Sequence, residues 1–378
     1  MDALSAAAAL LPDLCVEPAG TLRRSDRSEV LRVRVSGPGW PGPDTLIVKL
    51  CPDAGESWAR ESAALAAMPA AAPVPRLIAA SAEPPAIVMT DAGSGPSLAT
   101  ALLDGDAAQA ATATGQFALA LAALHLATQD AHDAFAAELA ARSAGTVPPE
   151  AMPALVTGAV AALDRYCGEL GVTVPPGAWP ELAALPGRLS DSGPSALTLA
   201  DACPDNSIRT ARGYLLIDFE EAEWRPVAWD VAYLTVPWPS CWCCFTLTPG
   251  VTRQALDRYR SAAAGRLRSV GTPAFEHDVA LATAGWAMVS SSWFLGRARG
   301  EDPRFDSEID EIDETGELPT RRAVIAHRLA TAQRTTSLPA LATLAARLRG
   351  ALLTAWGGES PLRPAPAFRP GSPASRTS

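Results

Sequence analysis

Lysine is almost missing from this chain of 378 residues: of its 31 basic side chains, all but Lys49 are arginine. Asparagine occurs once, as Asn206. The chain is rich in Ala, Arg, Gly and Pro, a bias that works against Lys and Asn. A Lys or Asn that survives such a bias marks a position where close chemical substitutes do not serve. Basic tracts are also lacking, and the net charge is −10, so no nucleic-acid partner is expected. A cationic small molecule would suit that charge. Nowhere do about 20 uncharged apolar residues run together, so no membrane partner is expected either. The apolar stretch Ala3–Leu11 has no basic flank and does not read as a secretory signal; a short amphipathic helix closed by Pro12 is expected instead. The seven cysteines, an odd number, then read as reduced thiols of a cytoplasmic protein. What the chain does have is 48% hydrophobic residues, enough for a sizeable core.

Leu31–Val35 alternates apolar and charged residues, and Thr45–Leu50 forms a second strand pattern beyond a Gly/Pro-rich loop. Glu56–Met68 is helical in composition. Arg76–Ala80 and Ala86–Thr90 are short strand-like runs around a Pro-Pro turn. The order strand, strand, helix, strand, strand predicts a small α+β lobe on an antiparallel sheet over residues 1–91. The polar, Gly-rich Asp91–Pro96 is the expected connector. Beyond it, helical patterns dominate at Asp106–Thr128, Ala131–Ala141, Met152–Leu170, Val227–Thr235, Val251–Arg268, Asp278–Gly296 and Arg321–Leu352. They are interrupted by a Pro-rich connection at Pro175–Pro186 and by short strands at Ala196–Ala200 and Tyr214–Ile217. This predicts a larger helical lobe over 92–356. The Pro/Ser/Gly/Arg-rich segment 357–378 reads as a disordered tail.

The chemistry concentrates in Leu199–Asn206 (LADACPDN) and Ile217–Glu220 (IDFE). An Asp, an Asn five residues later, and an Asp beyond a hairpin form the layout phosphoryl transfer needs. Asp201 can orient a substrate hydroxyl and accept its proton. Asn206 and Asp218 offer hard oxygen ligands to Mg²⁺, which bridges nucleotide phosphates. Upstream, Lys49 at a strand end can neutralise the phosphates while Glu61 on the next helix holds it. Each residue also has a plainer reading: a solvated strand end for Lys49, a surface acid for Glu61, turn formers for Asp201 and Asn206. Their order along the chain favours the functional one. Glu220 reads equally well as a further acid near the metal or as a solvent-facing side chain.

With these motifs in order (LIVK at Leu46–Lys49, Glu61, the connector after IVMTD, ADACPDN, IDFEEA), the chain resembles the aminoglycoside phosphotransferase and choline kinase family, small-molecule relatives of protein kinases. The resemblance spans about Val30 to Leu234. It implies a bilobal protein-kinase-like fold, with ATP and Mg²⁺ as cofactors and a small-molecule hydroxyl as acceptor, on an aminoglycoside-like antibiotic or an amino alcohol. It also implies nucleotide contacts at Met89 and Asp91 beside the connector, and a structural role for Asp230. Two departures stand out. The family usually has His-Gly-Asp where this chain has Leu199-Ala200-Asp201, and the turn Arg24–Ser28 carries no Gly, leaving Ser28 as a phosphate contact. The missing His keeps a second reading open, a nucleotide-binding pseudokinase acting as a regulator or scaffold.

Cys241-Trp242-Cys243-Cys244 invites a zinc reading, but no His lies near it and no second Cys pair follows at zinc spacing, so packed thiols are expected. Trp238 and Trp242 are expected at the acceptor pocket. His125, on an Ala/Leu helix, reads as a packed side chain. Glu301–Glu317 holds nine acids against Arg304 and reads as a solvated loop, or as an attractor for a cationic acceptor.

Overall fold

The computed structural model describes residues 2–25, 28–51, 55–143, 150–236, 238–298, 318–358 and 361–369. The acidic segment Glu301–Glu317 lies outside the described residues. The N-terminal lobe runs α1 (Ala3–Leu10), β1 (Cys15–Arg24), β2 (Glu29–Ser36), β3 (Thr45–Leu50), α2 (Gly55–Ala67), β4 (Leu77–Ala82) and β5 (Pro85–Thr90). The strands form one antiparallel sheet in the order β1-β2-β3-β5-β4.

Strand period decides which face does what. Leu46, Val48 and Leu50 of β3 are buried with Leu31, Val33 and Val35 of β2 under Ala3, Ala6 and Ala7 of α1. Ile47 and Lys49 therefore point to the other face, toward the cleft. Lys49 sits opposite Val30 on one side and Ile87 on the other. Beyond the four expected strands stands β1. It is an almost fully exposed edge strand containing Pro18 and Gly20, so it carries no alternating signal to read.

The second lobe begins with α3 (Leu98–Asp104), α4 (Ala107–Thr128), α5 (His132–Arg142), α6 (Ala151–Glu169), α7 (Ala178–Ala183) and α8 (Leu185–Ser192). The last two occupy the stretch expected as a Pro-rich connection; Pro186 falls in the first turn of α8, where its missing N–H costs nothing. Then come β6 (Ser195–Thr198), β7 (Ser207–Thr210), β8 (Gly213–Leu216), β9 (Glu223–Pro226), α9 (Ala228–Val231), α10 (Pro249–Ala263), α11 (Pro273–Ala298), α12 (Arg321–Gln333) and α13 (Pro339–Trp356). The four strands make two small hairpin-like pairs, β6 with β9 and β7 with β8. Helices α4 and α11 are long and apolar enough to cross a bilayer, but most of each is buried against the rest of the fold. Trp286 of α11 anchors this packing, edge-on to Trp229 and Tyr233, its indole N–H donating to the Trp229 carbonyl at 2.9 Å.

The two lobes meet at the connector. Gly95 approaches β7 so closely that a Cβ there would lie 1.9 Å from the Arg209 carbonyl oxygen, which only glycine avoids. The Arg209 N–H donates to Pro96 O at 3.1 Å, and the Ser207 hydroxyl accepts from Leu98 N–H at 3.1 Å. The connector is thereby fixed to the hairpin that follows Asn206.

The expectation of a disordered tail fails for residues 361–369. Thr246 N–H donates to Arg363 O at 3.2 Å, and Ala365 N–H donates to Thr246 O at 3.0 Å. Ala365 and Ala367 are fully buried, Leu362 packs near Cys244 and Val324, and the Arg369 guanidinium stacks over Phe245 at 5.4 Å. Composition pointed the other way because small residues and prolines carry little apolar area of their own. Here they fill a groove made by others. Residues 370–378 lie outside the described residues.

Candidate active site

Between the sheet and the β7–β8 hairpin lies a cavity of about 260 Å³. Its walls are apolar where Val30, Ile47, Met89, Ile208 and Ile217 meet, and charged at Lys49, Glu61, Asp218 and Glu220. Ser28, Asp91, Asp205 and Asn206 also line it.

Lys49 is 7% exposed and its ammonium is surrounded by acids. Nζ donates to Glu61 Oε2 at 2.7 Å, to Asp218 Oδ1 at 2.7 Å and to Glu220 Oε2 at 3.2 Å. Burial by itself would depress the ammonium's pKa. Glu61, followed by Asp218 and Glu220, more than reverses this and raises it, so Lys49 is held charged. The other Glu61 oxygen accepts the Phe219 N–H at 3.4 Å, joining α2, β3 and the Asp218 turn through one side chain. Asp218 itself has φ +64°, a left-handed conformation that aims its carboxylate back at Lys49. Three carboxylates around one ammonium leave an excess of negative charge, and Asn206 adds an amide oxygen at the same wall. This all-oxygen donor set, short of positive charge, fits a Mg²⁺ ion.

Asp201 stands on the loop between β6 and β7. Its Oδ1 accepts from the Cys203 thiol at 3.0 Å, from the Tyr233 hydroxyl at 3.4 Å and from the Ser240 hydroxyl; its Oδ2 accepts from Asn206 Nδ2 at 3.2 Å. Asn206 Nδ2 also reaches the Asp201 carbonyl at 3.0 Å, which leaves the amide oxygen available. Burial raises the Asp201 pKa against the lowering effect of the Ser240 and Cys203 hydrogen bonds. The preceding residue, Ala200, has φ +61°, where a residue with a Cβ is strained by about 1–2 kcal/mol. Leu199, at the position of the expected His, is buried in the core.

A profile of the phosphotransferase enzyme family matches residues 22–268, well over half of the chain. The chain belongs to this family. Its activity class is accordingly that of a small-molecule kinase, and its fold is the protein-kinase-like one. The structure of an ethanolamine kinase from Plasmodium vivax superimposes with a TM-score of 0.50 at 13% identity, covering 85% of this chain and 83% of that one. A choline/ethanolamine kinase family protein from Mesorhizobium loti gives 0.46 at 16% identity, over 89% and 92% of the two chains. A macrolide 2′-phosphotransferase from Brachybacterium faecium gives 0.44 at 17% identity, over 82% and 96%. No curated protein sequence matches the chain.

Within this family member, the residues named from sequence fall into two groups. Ser28, Lys49, Glu61, Met89, Asp91, Asn206 and Asp218 all line the one cavity. Asp201 lies beside it, tied in through Asn206. The Asp91 carboxylate is taken up by Arg32, at 2.6 and 3.1 Å, and by the Gly93 N–H at 2.8 Å, so its side chain fixes the connector. Glu220 pairs with Lys49 at 3.2 Å while its side chain stays partly exposed, so it joins the acids around the ammonium. His125 is fully buried between Tyr259 and Asp230, and Asp230 also pairs with Arg225. Trp238 packs edge-on against Phe117 at 6.3 Å and lines a second cavity with Tyr233, and the Trp242 indole donates to Asp205 Oδ2 at 3.0 Å; neither is among the residues lining the cavity beside Lys49. Sequence reading missed Tyr233 and Ser240 as partners of Asp201. They lie 32 and 39 residues downstream, with no spacing rule to connect them.

Proposed function

We propose that this phosphotransferase moves the γ-phosphate of ATP to a hydroxyl of an amino-bearing small molecule, of the aminoglycoside-like or amino-alcohol kind. The observation that carries the reading is the Lys49–Glu61–Asp218 cluster, at 2.7 Å on both sides of the ammonium, facing the loop that holds Asp201 and Asn206. The apolar walls of Val30, Ile47, Met89 and Ile217 suit a nucleobase. Lys49, held charged, supports the phosphates, and Ser28 lies on the same wall. Asn206 and Asp218 would hold Mg²⁺, whose charge offsets that of the phosphates.

Asp201 orients the acceptor hydroxyl and takes its proton as the oxygen bonds to the γ-phosphorus. The bond from that phosphorus to the bridging oxygen breaks, and ADP leaves. The raised pKa of Asp201 suits a group that must accept a proton. The net charge of −10 suits an acceptor with ammonium groups.

ATP consumption measured over a panel of aminoglycosides, macrolides, choline, ethanolamine and neutral sugars tests the reading. An amino-bearing acceptor should give turnover that Asp201→Asn abolishes, with ATP affinity by calorimetry largely kept. If Asp201→Asn retains wild-type turnover on a confirmed acceptor, Asp201 is not the base.

A further inference from the structure

Four of the seven cysteines converge on one place that phosphoryl transfer does not explain. Cys203 belongs to the loop carrying Asp201, while Cys241, Cys243 and Cys244 come from the segment after α9. The Cys203 and Cys241 sulfurs and an Asp205 carboxylate oxygen lie within 4.8 Å of one another. Cys243 Sγ is 2.8 Å from Cys241 Sγ, placing a third thiol at the edge of the set. Cys203, Cys241 and Cys243 are each at most 3% exposed.

We propose that Cys203, Cys241 and Asp205, with Cys243 as fourth donor, form a zinc site. Two sulfurs on one tetrahedral zinc stand about 3.8 Å apart, so Cys203, Cys241 and Asp205 need to draw in by about 1 Å, while Cys243 Sγ, at 2.8 Å, must move about 1 Å away from Cys241 Sγ. Thiol donors select a borderline-soft cation over Mg²⁺ or Ca²⁺, and one carboxylate completes a mixed set that zinc accepts. The carboxylate is already oriented: Trp242 Nε1 holds Asp205 Oδ2 at 3.0 Å, and Oδ1 faces the Cys241 sulfur at 3.5 Å. That is the supporting hydrogen bond that metal-binding carboxylates depend on. An ion has a way in, because Asp205 lines the open cleft. Binding converts the three thiols to thiolates and releases their protons to the buffer, so the Cys203 hydrogen bond to Asp201 is given up when the metal is bound.

Sequence spacing hid this set, since 38 residues separate Cys203 from Cys241 and no His takes part. The site would clamp the segment that carries Ser240 onto the loop that carries Asp201. It stands on its own donors and does not depend on the choice of acceptor.

The test uses the untagged, reduced full chain, stripped with a chelator and dialysed against zinc, with metal content read after gel filtration. About one zinc per chain is expected. Cobalt in its place should give a thiolate-to-cobalt charge-transfer band in the near ultraviolet and intense tetrahedral bands in the visible. Cys203→Ser and Cys241→Ser should each lose zinc retention and that band, while Cys15→Ser and Cys167→Ser keep both. Circular dichroism of the metal-free proteins checks that the variants fold. Should the two cysteine variants not fold, Trp242→Phe keeps every ligand, and its zinc affinity should fall about tenfold with the cobalt band retained. No zinc retention by the reduced wild type, equal retention by folded Cys203→Ser and Cys241→Ser, or unchanged affinity in Trp242→Phe would each overturn the proposal.

Discussion

Replacing Lys49 by Met removes the ammonium that pairs with three carboxylates while keeping most of the side chain's bulk. Glu61, 3% exposed, is the group left in the worst position, because Asp218 and Glu220 retain some contact with water. Breaking one side of a buried ion pair costs about 3–5 kcal/mol, since the remaining charge has lost its counter-charge and is kept from solvent. For a chain of this length the unfolding entropy makes that a fall in Tm of about 4–6 °C. The sign of its pH dependence follows from Glu61. Burial already holds its folded pKa above the unfolded value near 4.3, and loss of the Lys49 ammonium raises it further. The penalty is then fully present above the folded pKa and fades as pH falls toward the unfolded value. Melting by differential scanning calorimetry from pH 8 to pH 5 should therefore show the Lys49→Met deficit shrinking. Adding Glu61→Gln to Lys49→Met should recover most of the loss at pH 8 and remove the pH dependence. Nucleotide affinity should fall about 10- to 150-fold in the single variant, the worth of one charge-assisted hydrogen bond. A Lys49→Met protein that melts like wild type at pH 8, or a double variant no better than the single, would refute the buried-cluster reasoning.

Ala200→Gly should raise Tm by about 1–2 °C, because glycine relieves the left-handed strain at φ +61°; a lower Tm would show that the Cβ packs more than it strains. Ser240→Ala removes the strongest hydrogen bond to Asp201's charged form, so the acidic limb of kcat/KM should move to higher pH, while Ser240→Thr should leave it near wild type. An unmoved limb in Ser240→Ala would detach that hydroxyl from the base. Ending the chain at Gly358 should lower Tm by about 3–5 °C, from about 2–4 kcal/mol of lost burial around Leu362, Ala365 and Phe368. An unchanged melt would mean that the segment is not docked in solution.

Chemical type and order along the chain were readable without coordinates wherever function needs one residue type that nothing else replaces. Lys49 and Asn206 stood out because each is alone of its kind. Asp201, Asn206 and Asp218 follow local spacing along a loop and a hairpin. Strands β2 and β3 were legible because one buried face forces alternation, and the same period set Lys49 on the face opposite Val48. Strand β1 escaped notice because an exposed edge has no buried face to write a pattern. Contacts between distant segments leave no periodic trace at all. Tyr233 and Ser240 on Asp201, the engagement of Asp91 by Arg32, the docking of residues 361–369, and the meeting of Cys203 with Cys241 were decided only by tertiary structure. Each depends on where packed helices and hairpins bring two loops together, and that position is set by the summed burial of the whole lobe.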